Sequence, residues 1–75
     1  MPQVGDHVVY ADPKGHEHNA IVTANWGTGD TPSLNVVFVD PDETKTDSYG
    51  RQIARNTSVV HQSNQAAHGM YWREP

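Results

Sequence analysis

The sequence contains no cysteine, so neither disulfides nor thiolate metal centres can reinforce its core, and nucleophilic catalysis through sulfur is excluded. No apolar run approaches the roughly 20 residues needed to cross a bilayer, and the opening residues lack the basic-then-apolar order of a secretion leader. The chain therefore reads as soluble and not secreted. Positive charge is also scarce: five Lys and Arg stand against nine Asp and Glu, a formal net charge of −4. Lys14, Lys45, Arg51, Arg55 and Arg73 are scattered, with Arg51 and Arg55 the only local cluster. Phosphate-backbone binding usually needs a basic stripe, so this balance opposes a nucleic-acid partner. Repeats, heptads and helical stripes are missing as well. With 75 residues the chain is one domain, residues 1–75, and a domain of this size hides only about 60% of its unfolded surface. A small core leaves little room for a large internal pocket.

What is present is alternation. Residues 6–11 and 17–26 read as two strands joined by a tight turn, Asp12-Pro13-Lys14-Gly15. Pro13 pre-sets its φ, the Asp12 carboxylate can accept from the backbone two residues on, and Gly15 can enter the left-handed region. In the first strand Val8 and Tyr10 share one face and His7 and Val9 the other, and either face could be inward. In the second, His18, Ala20, Val22, Ala24 and Trp26 share one side, which predicts that Ala20, Val22, Ala24 and Trp26 are buried. Small alanines in that row suit a strongly curved sheet. Residues 27–33 form a loop. Leu34, Val36 and Phe38 alternate with Asn35, Val37 and Val39 in a central third strand, and residues 40–47 are a polar surface excursion opened by Asp40-Pro41. Residues 49–55 read as a strand or a helical turn, residues 57–61 as a short β-branched strand, and residues 62–68 as one turn of helix or plain loop. Met70, Tyr71 and Trp72 close the chain. Five or six short strands at this length predict an all-β domain, a small SH3-like barrel or a partly open roll, with an OB-like barrel as runner-up.

Three constellations invite chemistry. His16 and His18, two apart, with His7 across the hairpin, could offer imidazoles to a metal, but structural zinc usually takes four protein ligands; the plainer reading is hairpin-end side chains in water. Asp40, Asp42, Glu43 and Asp47 crowd one loop. Counted from Asp40, the sixth position is Lys45 where a calcium loop needs Gly, and the twelfth is Arg51 where it needs Glu, so a solvated acidic turn is favoured. Ser58, His61 and His68 could be written as a hydrolytic set, yet neither a Gly-x-Ser-x-Gly elbow nor a glycine-rich phosphate loop accompanies them. The expectation is a non-enzyme without cofactor. Among the aromatics, Trp26, Tyr49, Tyr71 and Trp72 carry the most information. On a strand Met70 and Trp72 point one way and Tyr71 and Arg73 the other, so one pair must face out. Trp, Tyr and Arg commonly anchor interfaces, which makes Tyr71, Arg73, Tyr49 and Arg51 the expected protein-binding residues.

The opening Val4-Gly5-Asp6-His7-Val8-Val9-Tyr10, the strand Ala20-Ile21-Val22-Thr23, the run Leu34-Asn35-Val36-Val37-Phe38, the segment Ser58-Val59-Val60-His61 and the tail Gly69-Met70-Tyr71-Trp72 together resemble a group of small, mostly uncharacterised β proteins encoded by tailed phages and prophages. That resemblance implies a compact SH3-like module, a virion accessory or capsid decoration component, acting on phage structural proteins in the virion or the host cytoplasm, in many copies or as a homo-oligomer. It carries no catalytic residues. Two alternatives from other classes are a nucleic-acid or transcription-associated module using Arg51 and Arg55, and a phage-made inhibitor of a host enzyme presenting the acidic loop as a charge mimic.

Overall fold

In the computed structural model, which describes residues 2–27, 29–64 and 70–75, the chain forms seven strands and, among the described residues, no helix. They are β1 (His7–Ala11), β2 (Glu17–Asn25), β3 (Leu34–Val39), β4 (Thr46–Asp47), β5 (Gly50–Arg51), β6 (Ile53–His61) and β7 (Tyr71–Arg73). Five of them close a small all-β, SH3-like barrel in the order β1-β2-β3-β6-β7, and β4 and β5 form a separate two-stranded hairpin. The pairings are antiparallel except that of β6 with β7.

The β1–β2 turn forms as its residues dictate. The Gly15 N–H donates to the Asp12 carbonyl (2.9 Å), the Asp12 N–H donates to the His16 carbonyl (2.9 Å), and Gly15 adopts φ +84°. The Asp12 carboxylate receives the Lys14 and His16 N–H groups, both at 2.9 Å, so the side chain fixes the turn from within.

Val8, Tyr10, Ala20, Val22, Leu34, Val36, Phe38, Val59 and Trp72 make the core. Ala20 pairs with Phe38 across β2 and β3, a small residue opposite a large one, as curvature requires. Trp72 is fully buried on β7, and its Nε1–H donates to the Pro32 carbonyl (2.8 Å). Both faces of β1 are covered. Val9 and Ala11, which point away from the core, are buried because β1 lies between β2 and β7 and the Arg73–Glu17 ion pair reaches across it.

Two bulges bend the ladder and reset which side chains face inward. Between Val22 and Ala24, β2 spends one residue more than β3, and between Leu34 and Val36, β6 spends one more than β3. At the second bulge Ser58 takes φ +54° and its N–H donates to Asn35 Oδ1 (3.0 Å), so β6 pairs with β3 in its first half and with β7 at its end. The first bulge corrects the burial expected for β2. Ala20 and Val22 point inward, but after the extra residue the phase inverts: Ala24 pairs with the outward Asn35, and Trp26 is 64% exposed. Residues 53–61, expected as two pieces, are the single strand β6; Tyr49 sits in the β4–β5 turn, and the helical alternative for residues 49–55 is not adopted. Of the polar stretch 62–68, Gln62 and Ser63 form a turn, while residues 65–68, His68 among them, lie outside the described residues.

Candidate protein-docking surface

An apolar strip runs along the outside of the barrel, and the bulge in β2 adds Trp26 to its end. Because Val36 and Phe38 face the core, Val37 and Val39 face out. Ile21 pairs with Val37 and Ile53 with Val39, which sets four apolar side chains in one diagonal row across β2, β3 and β6. Ile21 is 44% exposed, Val39 50% and Ile53 59%. Trp26 extends the row: its Nε1–H donates to Asn35 Oδ1 (2.7 Å), two positions before Val37 on β3. Arg55 pairs with Val37 and borders the strip on β6. Scattered single apolar residues on a surface need no explanation; these lie side by side along the strand pairings.

The expected binding residues divide. Tyr71 and Arg73 do point outward while Trp72 points in, but both are half-buried. Arg73 Nε and NH2 donate to the two Glu17 carboxylate oxygens at 2.6 and 3.1 Å, which holds the Glu17 carboxyl below its ordinary range and raises the guanidinium. Met70, expected to close the barrel beside Trp72, is exposed, with Asn56 Nδ2 donating to its sulfur (3.4 Å). Tyr49 is 98% exposed at the hairpin tip, remote in sequence and strand pairing from the Tyr71–Arg73 strand, and Arg51 is turned back to donate to the Asp40 carbonyl. The structure does not bring these four into one surface. Alternation placed Ile21 and Val39 outward, but it set Trp26 inside, since a one-residue bulge has no signature in the apolar pattern of β2.

The histidines also separate. His7 lies on the outer face, its Nε2–H donating to Asn19 Oδ1 (3.0 Å), whereas His18 lies inside, stacked on Tyr10 and Phe38 with ring centroids 6.1 and 5.2 Å away. His16 stands just before β2, and its Nδ1 is 4.0 Å from Asp12 Oδ2. Among the described residues no cluster of three His, Cys, Asp or Glu is arranged to hold a metal ion. The His18 Nε2–H instead donates to Asp12 Oδ2 (2.8 Å). That bond, followed by the two backbone N–H donors, holds the Asp12 carboxyl down to about 2 from its ordinary 3.8. His61, buried at the other end of β6, accepts at Nδ1 from Ser63 and donates from Nε2 to Glu74 (3.0 Å), and its ring meets Trp72 edge-on.

The depressed Asp12 carboxyl has a consequence for stability. A carboxyl whose folded value lies below its unfolded one stabilises the fold above the unfolded value and loses that contribution as pH falls through the folded value. Acid should therefore weaken the barrel between pH 3.8 and about 2. In Asp12→Asn the melting temperature should be lower at neutral pH and should fall less between those limits than in the parent. Parallel acid limbs for the two proteins would show that Asp12 does not titrate with folding.

A scan of protein-family models, a search of curated proteins and a search of solved structures each find no match to this chain.

Proposed function

We propose that this chain is a non-enzymatic protein-docking barrel that attaches to another protein through the strip running from Trp26 across Ile21, Val37, Val39 and Ile53. The observation that carries the reading is the row of outward apolar side chains on a three-stranded face, exposed except for the half-buried Val37, where burial against a partner would remove surface that the fold leaves in water. The setting is a phage particle, with capsid proteins as the partner and the barrel as an accessory or decoration component; that part of the proposal rests on the sequence pattern. Many copies on a repetitive surface would multiply a modest single-site affinity.

The charge arrangement supports a protein partner over a nucleic acid. Arg73 is paired with Glu17, Lys45 lies 3.9 Å from Asp40, and Arg51 is tied to the Asp40 backbone, so no basic stripe forms. The acidic loop is likewise turned on itself. Asp42 accepts from the Thr44 N–H and hydroxyl, and Asp47 accepts from the Tyr49 N–H, which leaves little of its carboxylate array free to mimic a ligand.

The test is co-sedimentation with particles that lack the protein. Ile21→Glu with Val39→Glu should leave the melting temperature nearly unchanged, because exposed substitutions usually alter stability by no more than about 0.5 kcal/mol. Attachment should weaken by about 2 kcal/mol or more, as for interface anchors. Undiminished attachment by the folded double variant would remove this face from the mechanism.

A further inference from the structure

A second surface lies where β6 meets the barrel mouth; it shares Ile53 with the outer strip but uses the backbone of that residue in place of its side chain. On one side Ile53, Ala54, Arg55 and Asn56 pair with Val39, Phe38, Val37 and Val36 of β3. On the other, β7 joins β6 only at Val60 and His61, so among the described residues no strand pairs with the β6 edge from Ile53 to Asn56. The Asp40 N–H donates to the Gln52 carbonyl (2.9 Å). In an antiparallel ladder this bond continues as closely bonded pairs at Phe38–Ala54 and Val36–Asn56, and the backbone groups of Ile53 and Arg55 must then point away from β3. Thr57 ends the open row, because its N–H is taken by Asn56 Oδ1 (2.9 Å). A row of unpaired N–H and C=O groups is a template for one more strand.

Beside this edge is a cleft of about 580 Å³ between the β1–β2 turn and the base of the β4–β5 arm, with Pro13, Phe38, Pro41 and Ala54 as its apolar lining. Its floor is firm. Phe38 stacks on Tyr10 at 4.6 Å, Tyr10 is pinned by Asn56 Nδ2 donating to its hydroxyl (2.7 Å), and Asp12 holds the turn that forms one wall. The small Ala54 side chain, next to the open edge, leaves the cleft accessible from it.

Charge selects the occupant. Of the five Lys and Arg, Lys14 and Arg55 have no ion-pair or hydrogen-bond partner for their side chains among the described residues, and both flank this surface: Lys14 lines the cleft and Arg55 stands on the β6 edge. Lys14 shares the cleft with the ionised carboxylates of Asp12, held by His18 and the turn backbone, and Asp42, held by Thr44, so the uncompensated cation on the open edge is Arg55. We propose that an extended peptide segment alternating apolar and acidic residues adds as a strand to the β6 edge at Ile53 and Arg55, laying its apolar side chains in the Phe38–Ala54 cleft and its carboxylates on the opposite face against Arg55. Backbone pairing supplies affinity and the alternate pockets supply selection. The two-residue period of the strand makes the pattern necessary, since residues beside Ala54 face the cleft and residues beside Arg55 face out.

The probes are two fluorescein-labelled synthetic peptides, one alternating valine with glutamate and one alternating valine with lysine, titrated into the whole protein. The glutamate peptide should bind about tenfold or more tightly than the lysine peptide, and Arg55→Glu should reverse that order. Amide exchange should slow at Ile53 and Arg55 on binding. Equal binding of both peptides, or protection confined to Ile21 and Val37, would overturn the proposal. Ile21→Glu with Val39→Glu should bind the peptide as the parent does, so loss of particle attachment and loss of peptide binding separate the two surfaces.

Discussion

Replacing Trp72 with alanine is expected to unfold the barrel at ambient temperature. The side chain is the largest fully buried one, on the three-residue strand β7 that joins β1 to β6 and so closes the ring. Truncating a buried Phe or Trp to Ala typically costs about 3–5 kcal/mol in lost transfer energy and residual cavity. Here the change also strips the Pro32 carbonyl of its donor and removes the edge-on partner of the His61 ring. An orphaned buried acceptor adds about 1–3 kcal/mol. A domain with a core this small has total stability near the low end of about 5–15 kcal/mol, so the sum is enough to abolish the native state. Urea titration followed by circular dichroism checks it. A cooperative transition within about 1 kcal/mol of the parent would mean that β7 does not close the barrel.

Phe38→Ala is the second large loss, expected at about 3 kcal/mol, the lower part of the range for this truncation. Phe38 is 9% exposed and stacks on both Tyr10 and His18, so its removal ends two ring contacts and opens the core next to Ala20. Its outer edge already borders the cleft, which limits the new cavity. The expected signature is a destabilised but folded protein whose Asp12–His18 bond loses its backing, seen as a lower denaturation midpoint at unchanged slope. A variant as stable as the parent would place Phe38 outside the core and invert the phase of β3.

Where the chain kept strict alternation, the sequence was enough. The turn at Asp12 to Gly15, the inward set Leu34, Val36 and Phe38, and the opposed directions of Trp72 and Tyr71 all follow from a period of two and from turn chemistry. Closure into an SH3-like barrel followed from strand number and length. What could not be read were the positions where one extra residue enters a strand. A bulge between Val22 and Ala24 leaves the apolar pattern of β2 looking continuous while turning everything after it over, and that is how Trp26 was expected inside. Binding residues were sought on β7, where the aromatic and arginine content is dense, but Arg73 is spent on Glu17 across β1. An ion pair between residues so far apart in sequence is invisible until the barrel closes. His18 illustrates the same limit: alternation puts it on the Ala20–Val22 side, but its bond to Asp12 depends on the pairing that sets it beside Tyr10 at the turn.

The β2 bulge turns Trp26 outward onto the apolar strip, so that of the two tryptophans Trp72 alone enters the core. Fluorescence distinguishes the two directly, because the chain has two tryptophans. In Trp72→Phe, which retains Trp26, emission should be red-shifted and readily quenched by acrylamide; in Trp26→Phe, which retains Trp72, emission should be blue-shifted and protected from quenching until the protein unfolds. Protected emission from Trp26 in the folded Trp72→Phe variant would contradict this placement, since β2 would then run without the phase inversion and the strip would lose its aromatic end.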